Sequence, residues 1–336
     1  MPATPATRRE LQLALDISLA YAATYPAGRL RLSNHLPMAL TALHRLQAPT
    51  AALQAQLQRH APRLDKLTPD SDEARAAQRF AAEIERDGLP AVLARHLPHL
   101  LEAAETAAFH GLIRLAYALD ADHPAEIAHA LAAWQTQHTA LGPALPATPK
   151  GQAARLADVL SALGDPPGLA FTPQQDTTIT QDMQQCAALP GFDDAVNGEA
   201  SPSPAALTLE TLAEASLAVY LGSRDFTALH LVTGCHALRL VLPHARLDAA
   251  QTQATLRGVW RAWLAAWLSI GRPRPDWVAV YLGGPASEAD WQAVLPTLAV
   301  SRDDHRIKLA WTALEEWRHR GWPGYARVLP AVGTTA

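Results

Sequence analysis

The chain has 336 residues, of which 49% are hydrophobic, so it is long enough to bury a large core without disulfide bonds. Alanine and leucine dominate, while glycine, phenylalanine, tyrosine and isoleucine are sparse, and this balance favours helix over strand. The net charge of −4 is small and the basic residues are scattered among acidic ones, which excludes a basic surface for nucleic acid.

The cysteine content and the N-terminal sequence indicate the cellular compartment of the protein. Cys186 and Cys235 are too few for a disulfide framework, which is typical of a reducing cytosol. Glu10, Gln12 and Asp16 interrupt any apolar stretch of an export signal. We find no stretch of about 20 residues that is apolar enough to span a bilayer, so we expect a cytoplasmic protein without membrane contact.

In chain order, the first predicted helix covers residues 9–24 and ends in a turn at Tyr25–Gly28. A second helix starts near Ser33. Pro37 lies in its first turn, where a missing backbone N–H costs little, so His35 lies at the entrance of this helix.

Helical patterns continue through most of the remaining chain. They cover 72–87, 90–120 with a break at Pro98, 124–137, 207–221, 226–242, 249–270, 287–295 and 303–320. Residues 141–206 are richer in proline and contain only short helical pieces. The sequence therefore predicts an all-α fold, a single large multi-helix domain over residues 1–336 with a less regular connection at about 141–206.

The common motifs for nucleotide cradling, serine hydrolysis and zinc binding do not occur in this sequence. Two pairs, Glu126-x-x-His129 and Glu316-x-x-His319, have the helical spacing of di-iron carboxylate bundles. A motif this short also arises by chance. Arg318 and Arg320 flank the second pair, which indicates a solvent-exposed helix end.

Two further patterns have both an ordinary and a functional interpretation. His305 and Lys308 share one face of the last helix, as in an ordinary amphipathic helix or as two ligands on one element. Trp260, Trp263 and Trp267 form an aromatic stripe, for which core packing is the favoured interpretation and a wall for a flat aromatic substrate the alternative.

Five segments in order resemble the questin oxidase-like family. They are NHLPMALTAL at 34–43, FHGLIRLAY at 109–117, RDFTALHLVTGCHALR at 224–239, DHRIKL at 304–309 and the continuation Trp311–Trp317. The resemblance extends from about Leu11 to about Tyr325. Each segment alone is weak, but the ordered set is specific.

The resemblance implies an α-helical, mononuclear non-haem iron oxygenase that acts on aromatic or polyketide-like molecules such as anthraquinones. Its implied iron(II) ligands are His35, His110, His230, His305 and Lys308, the lysine carboxylated by carbon dioxide. Neutral imidazole is a good ligand for ferrous iron, and a buried lysine amine can take up carbon dioxide. Dioxygen is the implied co-substrate, and a need for NADPH cannot be read from these residues.

Each histidine also has a structural interpretation, as a helix-start residue at His35, a core histidine at His110 and a space-filling residue at His230. His236 lies six residues after His230, about 240° around an ideal helix. We therefore expect it either to be structural or to contact the metal ligands without binding the metal itself. His44 is about half a turn out of phase with His35 and should point away.

Two other functions remain open from the sequence. A metal-dependent hydrolase could use a carboxylated lysine to activate water, and a helical binding protein could keep a metal site for stability alone. In either case the expected partner is a small molecule, aromatic in the oxygenase interpretation. The sequence leaves the oligomeric state and any catalytic residue beyond the metal ligands unknown.

Overall fold

The computed structural model describes residues 4–143, 145–146, 148–164, 168–174, 176–283 and 287–328. Across these residues the protein is essentially all-α, as the sequence predicts, with one two-stranded sheet. The helices are α1 (Arg8–Ser18), α2 (Leu36–Arg45), α3 (Thr50–His60), α4 (Asp72–Asp87), α5 (Leu89–Leu100), α6 (His110–Ala121), α7 (Pro124–Gln137), α8 (Leu156–Ala162), α9 (Ile179–Ala187), α10 (Phe192–Asn197), α11 (Leu209–Ser223), α12 (Phe226–Val241), α13 (Ala249–Ser269), α14 (Trp277–Tyr281), α15 (Glu288–Ala299) and α16 (Asp304–Arg320).

Backbone contacts divide the chain into two compact units. Unit 1 consists of Met1–Val92, Ile113–Thr136 and Ala279–Ala336, and unit 2 of Leu93–Leu112 and Gln137–Val278. In unit 1, α16 packs on α2, and α1, α2 and α3 contact one another. In unit 2, α12 packs between α11 and α13, and α13 also contacts α9 and α10. The single domain expected from the sequence stays a prediction.

The N-terminal region differs from its predicted course. Helix α1 ends at Ser18, and a β-hairpin follows, with β1 (Thr24–Ala27) antiparallel to β2 (Leu30–Ser33). Gly28 has φ +63° at the two-residue turn of this hairpin, a conformation that glycine adopts without strain. The predicted turn at Tyr25–Gly28 is therefore the end of a strand and the start of its hairpin turn.

The predicted helix over 90–120 is two helices, and its break is not at Pro98. Pro98 lies inside α5, and the chain leaves the helix only at a 3-10 turn, Leu101–Ala103. A left-handed turn then follows, because Ala107, Ala108 and Phe109 all have positive φ, at 53°, 55° and 67°. Helix α6 begins directly after it, at His110.

Side-chain caps fix where two of the helices that carry predicted ligands, α12 and α16, begin. Asp225 accepts backbone N–H bonds from Thr227 and Ala228 at the start of α12. Asp303 accepts the backbone N–H of His305 at the start of α16. An aspartate at this position pairs the first N–H groups of a helix and is favoured by its dipole, so both helix starts are well defined.

Candidate metal centre

In unit 1, two predicted histidines lie side by side. His35 is the residue before α2, and His305 lies in the first turn of α16. Their rings meet edge to face with centroids 4.4 Å apart, and ligand nitrogens of the two rings lie within 4.8 Å of each other. Two imidazole nitrogens at this separation can bind one metal ion after small side-chain movements.

Asn34 fixes the backbone next to His35. Its side-chain amide donates to the carbonyl of Ala22 at 3.0 Å, and its side-chain oxygen accepts the backbone N–H of Leu36 at 3.0 Å. Asn34 is only 2% exposed, so these bonds are buried. The start of α2, and with it the position of His35, is thus tied to the segment that enters the hairpin.

A carboxylate lies behind this histidine pair. Asp304 Oδ1 is 2.9 Å from His60 Nε2, and Asp304 Oδ2 is 3.8 Å from His35 Nδ1. His305 Nδ1 lies 3.3 Å from Asp303 Oδ1. Carboxylates that face the Nδ1 atoms of metal-binding histidines hold the rings in place and make Nε2 the metal-binding nitrogen. His60 was not among the site residues predicted from the sequence.

Lys308 lies one turn after His305 and is fully buried. Among the residues that the structure describes, its Nζ has no hydrogen-bond partner. Burial lowers the pKa of Lys308 from 10.5 to about 8, and the nearby carboxylates of Asp304 and Asp303 oppose that shift. An isolated ammonium group is costly to bury, so this position raises the fraction of neutral amine relative to an exposed lysine.

The same surroundings shift the pKa of His305. Burial is the largest cause of its lowered pKa, and the charge of Lys308 adds to it, while Asp303 and Asp304 act in the opposite direction. A lowered pKa keeps the imidazole neutral at physiological pH. Neutral imidazole is the form that binds metal ions.

In unit 2, His110 and His230 form a second pair, with ring centroids 5.0 Å apart. His110 follows the left-handed turn of Ala107–Phe109, and its Nδ1 contacts the Ala107 carbonyl. His230 Nδ1 lies 2.9 Å from the Phe226 carbonyl, one turn earlier on α12. A carbonyl can only accept, so Nδ1 donates in both histidines and Nε2 carries the lone pair.

A glycine allows these two histidines to approach. A Cβ built at Gly234 on α12 would lie 3.3 Å from Cγ of Phe109, the last residue of the left-handed turn. Gly234 is one turn after His230. The missing side chain therefore lets the turn before His110 pack directly on the helix that carries His230.

Within each unit, the predicted ligands have the chemistry of metal-binding residues. Every histidine has its Nδ1 facing a carbonyl or carboxylate of its own unit, which is the usual arrangement behind metal-binding imidazoles. Helix α16 adds a buried amine without a hydrogen-bond partner in the described part of the chain. A purely structural role does not account for that amine.

Residues 32–313 match the family model described as questin oxidase-like. The chain belongs to the questin oxidase-like family. Among curated proteins, none is significantly similar to it. The family match covers most of the chain, including all five predicted ligands, and indicates an oxidoreductase.

In this questin oxidase-like protein, the carboxylates of both pairs with di-iron spacing contact arginines. Glu126 forms a buried two-point salt bridge with Arg114, at 2.7 and 3.0 Å. Glu316 is 1% exposed and binds Arg320 Nε at 2.6 Å, so the expected solvated helix end is found at Arg318 and His319, which are exposed, but not at Glu316. A buried arginine stabilises the carboxylate that it pairs with and makes it a poor metal ligand.

Two further histidines lie on the helices of the predicted ligands. His44 lines a surface cavity of unit 1 together with Asp120 and Arg318, which agrees with the expectation that it points away from His35. His236 is buried on α12 at 2% exposure. The structural role expected for it stays a prediction.

The tryptophan stripe is part of the core of unit 2. Trp260, Trp263 and Trp267 are each 1% exposed and stack in sequence, with ring centroids 5.6 and 6.3 Å apart. The Trp263 indole N–H donates to Ser216 Oγ at 2.8 Å. These observations support core packing, the interpretation favoured from the sequence.

Replacing Trp263 by leucine is therefore expected to lower the free energy of unfolding by about 3 kcal/mol, because it opens a cavity and leaves Ser216 without its donor. Urea denaturation followed by circular dichroism measures this change. A variant as stable as the wild type would contradict core packing and reopen the substrate-wall interpretation.

One segment, Phe226–Ala245, is apolar and long enough to cross a membrane by length and composition alone, which the sequence analysis did not expect. However, 78% of its apolar window is buried within the protein. That is typical of the core helix of a soluble protein. The cytoplasmic location stays a prediction.

Proposed function

We propose that this questin oxidase-like protein is a mononuclear non-haem iron oxygenase that acts on an aromatic or polyketide-like small molecule. The iron(II) ligands would be His35, His305 and Lys308 of unit 1 with His110 and His230 of unit 2. It is the family resemblance that implies a shared role for these five residues as ligands of one ion. Ferrous iron bound there would supply the activation of dioxygen that oxidation of an aromatic ring requires.

The observation that carries this proposal is the common orientation of the four histidines. Nδ1 of His110 and of His230 donates to a carbonyl, and Nδ1 of His35 and of His305 faces a carboxylate. This arrangement presents Nε2 of each ring as the ligand and fixes the ring before a metal binds. His123 differs, because its Nε2 faces Asp16 and its Nδ1 accepts the backbone N–H of Glu126.

Lys308 would contribute an anionic oxygen ligand after carboxylation. Its neutral Nζ attacks the carbon of carbon dioxide, a new N–C bond forms, and one N–H proton passes to the buffer, which leaves a carbamate. The burial that lowers the pKa of Lys308 to about 8 supplies the neutral amine that this step requires. One carbamate would leave a ferrous centre with four neutral imidazoles at a formal charge of +1.

The first test is the metal content of protein purified without oxygen, loaded with ferrous iron and kept in bicarbonate. We expect about one iron per wild-type chain and a loss of most of it in His305→Ala and His230→Ala, because each variant removes one ligand. His319→Ala is the matched control, since His319 is an exposed histidine on the same helix as His305.

Oxygen uptake by the loaded protein over a panel of anthraquinones and related phenols tests the reaction itself. Full iron occupancy without oxygen uptake would instead favour a metal-stabilised binding protein. Zinc in the purified protein with ester or amide hydrolysis would favour the hydrolase. Absence of any bound metal from the wild type would refute the proposed centre.

A further inference from the structure

A surface cavity of about 440 Å³ lies in unit 2, apart from the predicted iron ligands, none of which lines it. One wall is a stretch of α13 that carries Arg257, Gly258 and Arg261. The end of α5 and the residues Gly142, Leu145 and Pro146 also line the cavity. Cavities of this volume hold small organic molecules.

Arg257 and Arg261 are one helical turn apart and are 9% and 6% exposed. Arg257 donates to the Pro146 carbonyl at 2.7 Å and to the Asn197 side-chain oxygen at 3.0 Å. Arg261 donates to the Pro143 carbonyl at 2.7 Å. All three acceptors are neutral. A guanidinium group has five N–H donors, so most donors of this pair are not used by these bonds.

Buried charges usually have an opposite charge beside them. Within the described residues, neither arginine forms a salt bridge with a carboxylate. Glu105 lies close enough to affect Arg261 by its charge, but its carboxylate accepts the backbone N–H of Leu141, and burial raises its pKa. Glu102 at the cavity mouth is exposed and contacts His99.

Burial is the cause of the lowered pKa of Arg257, and among the described residues no carboxylate opposes that shift. The buried carboxylate of Glu105 lies near Arg261, and the end of the cavity at Arg257 keeps a positive charge. The remaining lining includes the apolar side chains of Leu101, Leu145 and Leu247. The cavity thus combines a cationic end with apolar walls.

Glycine keeps this space open. A Cβ built at Gly258, between the two arginines in the sequence, meets no atom within 4 Å. Glycine inside a helix costs up to about 1 kcal/mol relative to alanine. A larger side chain at this position would extend into open space, so it offers a way to fill the cavity without removing a charge.

We propose that this cavity binds a small organic anion, an apolar ring system that carries a carboxylate, with the carboxylate on Arg257 and Arg261. Arginine binds carboxylates through two parallel N–H donors, which gives both affinity and orientation. The leucines would cover the ring.

Calorimetric titration of the metal-free protein with 2-naphthoate tests this proposal independently of iron. We expect saturable binding of 2-naphthoate and at least tenfold weaker binding of neutral 2-naphthamide. Arg257→Gln should weaken naphthoate binding at least tenfold, and Gly258→Leu should abolish it. Arg302→Gln replaces an exposed arginine and should leave the Kd unchanged.

Thermal melts establish that each variant is folded. If Arg257→Gln does not fold, Gly258→Leu still decides the matter, because it keeps both arginines and their bonds. The proposal is overturned if the wild type does not bind naphthoate at millimolar concentration, if acid and amide bind equally, or if folded Gly258→Leu binds as well as the wild type.

Discussion

Replacing Lys308 by methionine is expected to remove iron from the protein while stabilising its metal-free form. Methionine has a similar length and no charge, so it fills the buried space without an amine that lacks a hydrogen-bond partner in the described part of the chain. The free energy of unfolding should rise by about 3 kcal/mol near pH 7, since a depression of the pKa from 10.5 to about 8 corresponds to that penalty.

The pH dependence of this difference has a definite sign. Because the pKa of Lys308 is lower in the folded than in the unfolded protein, the folded state binds fewer protons between pH 8 and pH 10.5. The penalty is therefore complete below pH 8 and disappears as the pH rises towards 10.5. The advantage of Lys308→Met should shrink over the same range.

Iron analysis and urea denaturation at several pH values measure both effects of Lys308→Met. Lys150→Met is the control. Because Lys150 is exposed, the iron content and the stability of this variant should equal those of the wild type. Undiminished iron in Lys308→Met would remove this lysine from the ligand set. Unchanged stability would mean that its amine is not penalised by burial.

Glu126→Ala is expected to destabilise the protein by about 3 kcal/mol, because it leaves the guanidinium of Arg114 buried without its salt-bridge partner and with only the nearby charge of Glu73. Arg114 and Glu126 are 4% and 1% exposed, and two bonds join them. In the described part of the chain, Arg114 Nη1 has no hydrogen-bond partner that could compensate. Thermal and urea denaturation measure the loss.

Two further variants test whether the loss of stability comes from the salt bridge between Arg114 and Glu126. Arg114→Met combined with Glu126→Leu should recover much of the lost stability, because no unpaired charge remains. Glu85→Ala removes an exposed carboxylate of α4 and should change the stability by less than about 0.5 kcal/mol. Iron content in folded Glu126→Ala should equal that of the wild type, whereas a di-iron role of Glu126 predicts its loss.

The sequence predicted the longer helices best, since helix propensity is informative when it is summed over about 15 residues. The predicted bounds of α4 and α7 agree with the structure, and those of α12, α13 and α16 agree within one residue. Helix α3 was not predicted. The hairpin was missed because Tyr25–Gly28 has turn composition, and its strands are only four residues long.

The left-handed turn before His110 could not be predicted from its residues. Ala107 and Ala108 are strong helix formers, so local propensity favours a continuous helix there. The packing of Phe109 on Gly234, which is distant in sequence, accompanies the opposite conformation. Similarly, the ligand candidates were recognised from family motifs, but the contact between His60 and Asp304 joins residues 244 positions apart, which no local pattern connects.

The left-handed turn also has a consequence for attempts to make this protein more robust. Three consecutive non-glycine residues with positive φ cost roughly 1–2 kcal/mol each, and glycine at any of them would relieve that strain. Selection for heat resistance alone would therefore favour glycine at Ala107 or Ala108. The same change would make the backbone before His110 more flexible than the two alanines do, and the His110 imidazole would be held less firmly. Higher thermal stability and a fixed position of this imidazole therefore favour different residues at these two positions.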